Sequence, residues 1–507
     1  MSLGRHLLRG SGANLLDHMV KIVVVFYTAP LMLQCLTDDG YGSWLLAMNV
    51  ISFFLLLDLG VTLASTRYFA MAVGSGDESR EGAVLSVSRH FFKVIGLAIF
   101  VCTMASLPIM PWLASHAFSP LEVTMPLAVC GTTTALRFIF RMPMVLLRAH
   151  VRYDLLAWCS IGRSLFQVGV MTVALRSGFG LIGAAVAHGA GDCLELGLQT
   201  LMARRLKRPS VEGLPSELTQ KTRRELFSYC NSLLLLNVGE SFRIQVNPFL
   251  ISKMSGLAEV PVYSIGMRLI TILEDVVNAL FGGQVLAAFS QLHGADNQEA
   301  LRDQFRKVTR LTVIFSAWAV GGLAFFGEAF FKRWMGADFG RAHDVMLILA
   351  FPYGLRFMQY PAHSLLYTLN KQRWLVWANF IGGVVTVVCA LILGPIWGLR
   401  GVVLGTALEM CAFYLLVMPW LIRDYAKLNP LHYLFGMVLG PMVLSLILPG
   451  LYSWWALGWL TPDYGQLFFC SVGYTLVFAI TVPWLAFDAE TRKTLWSKLL
   501  KRGPSPP

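Results

Sequence analysis

A chain of 507 residues in which 56% are hydrophobic and only 14% charged, with a mean hydropathy of +0.61, lies outside the composition of soluble globular domains. The net charge of +12 does not make it a nucleic-acid binder, because the cations stand in short blocks between apolar runs and do not gather with aromatics on a polar face. That alternation marks a polytopic membrane protein with its basic loops inside.

Arg5 and Arg9 precede an apolar run from about residue 15 to 36. It is too long for the core of a signal peptide and no small-x-small cleavage site follows, so it reads as the first spanning helix. At about 20 residues per span, further runs follow near 41–66, 91–115, 122–147, 155–176, 181–203, 226–252, 260–290, 309–331, 343–369, 374–394, 401–422, 433–450 and 466–486. Basic residues crowd the N-terminus and every second loop: Arg67 to Lys93, Arg148 and Arg152, Arg204 to Arg224, Arg302 to Arg310, Lys371 and Arg373, Arg423 and Lys427, and the tail from Arg492. The opposite loops carry few, which puts both termini in the cytoplasm. Nine cysteines sit singly inside apolar runs without metal-site spacing and read as small core residues, so neither metal nor cofactor is expected.

The two halves of the chain look like copies. Pro30 answers Pro248 and Pro143 answers Pro361, both 218 apart, and Leu136-Arg137-Phe138 answers Leu355-Arg356-Phe357 at 219. Gly180-Leu181-Ile182-Gly183 answers Gly398-Leu399-Arg400-Gly401 at 218. Six helices separate equivalent positions, so both copies face the same way across the membrane. The expected fold is therefore all-α: a polytopic integral membrane protein of about fourteen transmembrane helices. Two six-helix lobes are related by a pseudo-twofold axis along the membrane normal, and two helices are extra. Residues 1–203 form the N-terminal lobe, 204–225 a cytoplasmic linker, 226–422 the C-terminal lobe, 423–486 helices 13 and 14, and 487–507 a cytoplasmic tail.

Residues 36–70 carry the most distinctive pattern. An acidic turn, Asp38-Asp39-Gly40, opens on Tyr41-Gly42; Asp58-Leu59-Gly60 interrupts the apolar run that follows, and Arg67-Tyr68 closes it. With the glycine-leucine helix starts at Gly180 and Gly398, this order resembles the multidrug/oligosaccharidyl-lipid/polysaccharide exporter superfamily, in its O-antigen flippase-like branch. The resemblance implies a transporter, not an enzyme. Such a protein moves undecaprenyl-diphosphate-linked repeat units from the cytoplasmic to the outer leaflet of the bacterial inner membrane by alternating access, for O-antigen or exopolysaccharide synthesis. Its partners would be that lipid-linked oligosaccharide, membrane lipids, a polysaccharide polymerase and a chain-length regulator. Helices 13 and 14 resemble the pair that makes a lipid-tail groove in the lipid II flippase branch.

Each ionised side chain at the bilayer centre costs about 2.5 to 3.5 kcal/mol, so the intramembrane charges need reasons. Arg137 and Arg356 occupy equivalent places, each a few residues before a helix-bending proline, and arginine recognises phosphate through a fork of donors. Both are candidate substrate contacts. Arg141 shares a helical face with Arg137 and extends that wall. The resemblance adds Lys21, Arg243 and Arg268, whose helices line the central cavity in that superfamily. The acids Asp58, Glu240, Glu274 and Asp275 are candidates for coupling-ion or gate sites. Structural readings stand beside these: Glu240 with Arg243 three residues on, Asp192 and Glu195 with Arg163, and Asp58 with Arg67 or Lys21.

Other functions fit less well. A drug/cation antiporter of the same superfamily would use mainly buried acids and usually twelve helices. A lipid II flippase would carry several arginines in its first two helices. A polysaccharide polymerase or ligase would carry a large external loop, whereas the outer loops here are about 15 residues or shorter. No nucleotide-binding loop occurs, which leaves an ion or cargo gradient as the energy source.

Overall fold

The structure is a computed structural model that describes residues 3–58, 60–113, 119–206, 215–369, 371, 373–459 and 463–486, without the side chains of 3–11, 112–113, 229, 231–244, 282–284, 287, 338, 426 and 481–486. Among the described residues there is no strand. Seven helical stretches are long and apolar enough to cross a membrane, or eight if the bent pair Pro120–Ile139 and Met142–Ala149 counts as one span. Two of the seven are double. Gly12–Asp58 holds 47 residues and Arg373–Tyr425 holds 53, about 70 to 80 Å of helix against a hydrocarbon core of about 30 Å. Each is broken where the backbone leaves the helical region, at Thr37 (φ 62°, ψ 168°) and Gly398 (φ 58°, ψ −134°). Only glycine adopts the second of these without strain.

Divided at those breaks, the described helices string into fourteen rods. Helix 1 is 3–36, helix 2 is 38–58 with Val61–Ser75, and helix 3 is Glu78–Ser106. Helix 4 is Pro120–Ile139 with Met142–Ala149, helix 5 Tyr153–Arg176 and helix 6 Gly180–Ala203. Helix 7 is Ser216–Gln245 with Asn247–Met254, helix 8 Glu259–Gly294 and helix 9 Gln298–Met335. Helix 10 is Gly340–Met358 with Tyr360–Thr368, and helices 11 and 12 are 373–397 and 399–426. Helix 13 is 432–457 and helix 14 Tyr464–Ala486. The chain is thus the all-α, multi-pass membrane protein that its hydropathy implied. Several rods overrun their apolar runs, because the helix continues into polar turns that hydropathy does not register. Helix 3 starts at a cap, the Asp77 side chain accepting from the Arg80 amide, and helix 9 at another, Asn297 accepting from Ala300. Helix 4 opens on a capping box between Ser119 and Glu122 with Pro120 in its first turn.

The chain forms two compact units, Met1–Pro261 and Val262–Pro507. The division falls after helix 7. Helix 7 begins inside the polar segment 204–225, packs on helices 2 and 3, and places Leu226 and Cys230 in the first unit's core beside Phe69, Leu85, Phe92 and Phe138. Arg80 pairs with Glu225 at 3.5 Å across the same contact. In the second unit helices 13 and 14 dock on helix 9. There Phe305 stacks on Tyr433, and the Tyr474 hydroxyl donates to the Trp318 carbonyl at 2.9 Å. The cysteines divide: Cys130, Cys159 and Cys230 are buried, Cys102, Cys389, Cys411 and Cys470 half-buried, and Cys35 and Cys193 exposed.

Candidate functional site

Helix 6 carries His188, Asp192, Glu195 and Gln199 at i, i+4, i+7 and i+11, one polar stripe on an otherwise small and apolar helix. Gly191 lets helix 5 approach that stripe: a Cβ there would lie 3.1 Å from the Gln167 side chain and 3.5 Å from that of Arg163. Asp192 and Glu195 are buried, 1% and 7% exposed. Two guanidinium groups meet them. Arg137, from the end of the first segment of helix 4, bridges both acids, Nη1 to Asp192 Oδ1 at 3.0 Å and Nη2 to Glu195 Oε2 at 2.9 Å. Arg163, from helix 5, places Nη2 2.8 Å from the same Asp192 oxygen and Nε 3.7 Å from Glu195 Oε2. Gln199 donates to the other Glu195 oxygen at 3.0 Å. His188 Nε2 stands 3.9 Å from Asp192 Oδ2, and its Nδ1 is 3.2 Å from the Gln167 amide.

The cluster's formal charges cancel, two positive against two negative. Arg163 pairs with the acids, the structural pairing weighed from the sequence; that Arg137 shares them was not legible. A groove of about 460 Å³ opens beside the cluster, lined by Leu136, Arg137, Phe140, Asp192 and Cys193 and reaching Arg204 at the end of helix 6. Arg163 is not among its lining residues. Sequence reading placed Arg204 in a loop and missed its position at this mouth.

Helix 4 bends by 51° just past Arg137. The Phe140 amide reaches back to the Leu136 carbonyl, and Pro143 sits in the first turn of the next segment. Arg141 lies in the bend with its guanidinium over the Phe138 ring at 4.2 Å. It does not join the acid pair.

Asp58 marks a second break. After the 3-10 turn Leu55–Asp58 the chain passes through Gly60 in the left-handed region (φ 78°). The Asp58 carboxylate accepts from the Thr62 amide at 3.1 Å and its hydroxyl at 2.9 Å, holding the restart of helix 2. Lys21 pairs with Asp17 on its own helix at 2.7 Å, and Asp17 is 7% exposed. The i, i+4 spacing is the signal in the sequence for that partner, which the sequence reading missed.

In the second unit Arg356 reaches helix 8, Nη2 to Glu274 Oε1 at 2.8 Å. Glu274, a candidate coupling-ion or gate acid, is thus also an arginine partner. Helix 10 breaks after Arg356 in the manner of helix 4: the Gln359 amide donates to the Leu355 carbonyl, and Pro361 sits in the first turn of the next segment. The break is tied down by Thr312, whose hydroxyl donates to the Met358 carbonyl at 3.0 Å, and by the Gln359 side chain, which donates to the Tyr414 carbonyl at 2.8 Å. Arg268 and Asp275 are exposed on helix 8. The side chains of Glu240 and Arg243 lie outside the described residues. Among the described residues no group of three His, Cys, Asp or Glu is placed to hold a metal ion.

The model of a family described as polysaccharide biosynthesis protein matches residues 35–343, more than half of the chain. No curated protein matches the sequence. Among solved structures, the lipid II flippase MurJ in an inward closed conformation superposes with a TM-score of 0.68 at 12% identity, over 97% of this chain and 99% of that one. An inward-facing multidrug resistance MATE family transporter of the MOP superfamily gives 0.65 at 14% identity, over 81% of this chain and 98% of that one. A MOP superfamily transporter from Pyrococcus furiosus gives 0.56 at 14%, over 84% and 96%. At these identities the likeness establishes the fold, that of the MOP transporters.

Proposed function

Since the chain belongs to the polysaccharide biosynthesis protein family, we propose that it is a flippase for undecaprenyl-diphosphate-linked oligosaccharide, working by alternating access in the bacterial inner membrane. The carrying observation is the repeated arginine at a helix break: Arg137 before the bend at Phe140 and Arg356 before the bend at Gln359, in equivalent places of the two copies. Each lies on a helix that can hinge beside it, and each presents a fork suited to a phosphate. On this reading residues 1–203 and 226–422 are the two lobes, 204–225 links them in the cytoplasm, 487–507 is a cytoplasmic tail, and Lys21, Arg141, Arg243 and Arg268 extend the anion path. Helices 13 and 14 serve the lipid tail. Coverage of nearly the whole chain by the lipid II flippase structure, against 81% by the multidrug transporter, supports that role.

Topology is tested by reporter fusions after Pro507 and after Ser216, which should be active only on the cytoplasmic side; external activity at either removes the two-lobe reading. Transport is tested in proteoliposomes with a fluorescent lipid-linked oligosaccharide. A diphosphate carries about two negative charges, and each is worth about 2.3 kcal/mol per 100 mV, so an interior-negative potential favours outward movement by up to roughly 4 to 5 kcal/mol. If the cavity cations screen the cargo in transit, the same potential speeds return of the empty cationic site. Transport should therefore accelerate when a potassium ionophore sets that potential without a pH gradient. Equal rates would mean an electroneutral cycle and move the coupling to Glu240, Glu274 or Asp275. Absence of any protein-dependent transport would remove the flippase assignment.

A further inference from the structure

Arg137 can leave its carboxylates without orphaning them. Its side chain is 32% exposed and lines the groove, whereas Arg163 is 19% exposed and stands behind the acids. Both guanidinium groups already share one Asp192 oxygen, at 3.0 and 2.8 Å. Of the two guanidinium groups only that of Arg137 is within hydrogen-bond reach of Glu195, but the Arg163 Nε is buried without a hydrogen-bond partner and lies 3.7 Å from the same Glu195 oxygen. A shift of under about 1 Å gives Arg163 the bidentate hold on both acids. Gln199 keeps the remaining Glu195 oxygen throughout.

We infer, on the basis of the flippase reading above, that Asp192, Glu195 and Arg163 form a charge-exchange cradle for Arg137. While the groove holds no anion the two carboxylates occupy Arg137. When the diphosphate of a lipid-linked cargo enters between Leu136, Phe140 and Arg204, Arg137 turns to it and Arg163 closes on both acids. The carboxylates are built-in competitors for the phosphate. They keep an intramembrane arginine from standing uncompensated, and they reclaim it when the cargo leaves, so that binding stays weak enough for release. Asp192, Glu195 and Arg163 are in this sense positioning residues that act through Arg137.

The exchange predicts effects of opposite sign within one cluster, which a purely structural role does not. The experiment measures binding of farnesyl diphosphate to the full chain in lipid nanodiscs, with farnesol as the uncharged control. Asp192→Asn and Glu195→Gln each remove one competitor while keeping the side chain's shape, and should tighten binding of the diphosphate by about tenfold, the scale of one charge-assisted hydrogen bond. Arg163→Gln leaves both acids dependent on Arg137 and should weaken binding by a similar factor. Arg163→Lys, which keeps the charge but cannot span both carboxylates, carries the same test if Arg163→Gln fails to fold. Farnesol binding should be equal in all variants. Binding by wild type that is unchanged or weakened in both acid variants overturns the exchange and leaves the flippase assignment standing. Failure of wild type and acid variants alike to prefer the diphosphate over farnesol overturns both.

Discussion

Cells carrying Arg137→Ala together with Arg356→Ala should display less than about a tenth of the wild-type surface polymer, with the protein still present in the membrane. The loss is functional because neither change strips a buried acid of all compensation. Asp192 and Glu195 retain Arg163 at 2.8 and 3.7 Å, and Glu274 is 20% exposed. Removing the sole partner of a buried charge costs about 3 to 5 kcal/mol; here the cost is reduced by the remaining partner in one unit and by exposure in the other. What disappears is the guanidinium fork at both helix breaks, which on the proposed function holds the phosphate. Lysine at either site should restore export only in part, since Arg137 uses two nitrogens on two different acids and an ammonium is a single point charge. Normal polymer on cells carrying the double alanine variant, measured alongside membrane abundance, would remove both arginines from the transport path.

Gly42→Ala should lower the melting temperature of the purified protein by several degrees and reduce its yield from membranes, whereas Gly74→Ala should leave both unchanged. An ideal Cβ on Gly42 would come 2.4 Å from the Leu257 carbonyl oxygen, a backbone atom ahead of helix 8 that cannot rotate away. Overpacking of this kind costs about 1 to 3 kcal/mol and sometimes more. Gly74, near the end of helix 2, has nothing within 4 Å of the same hypothetical atom and gains helix propensity from alanine. Thermal unfolding followed by size-exclusion fluorescence separates the two. A Gly42→Ala protein as stable as wild type would show that the close approach of helix 2 to Leu257 is not needed.

Composition and period were enough to establish that this chain is an all-helical membrane protein, because apolar run length is set by bilayer thickness and loop charge by the inside-positive bias. The internal offset of 218 to 219 likewise located Arg137 and Arg356 before bends that both units contain. Residues 36–70 carried the family resemblance, yet the reasons for their glycines are spatial. Gly42 makes room for a carbonyl more than two hundred residues away, and Gly60 takes a left-handed turn that Asp58 then caps. Only the tertiary structure decided which charge meets which. Helical spacing relates residues on one helix, so it could pair Lys21 with Asp17 and align Asp192 with Glu195, but it contains no azimuth for one helix against another. That azimuth brings Arg137 of helix 4 and Arg163 of helix 5 onto the same Asp192 oxygen of helix 6, turns Arg356 onto Glu274, and leaves Arg268 and Asp275 exposed. It is set by where small residues such as Gly191 let two backbones approach, a property of packed surfaces that no single run of sequence displays.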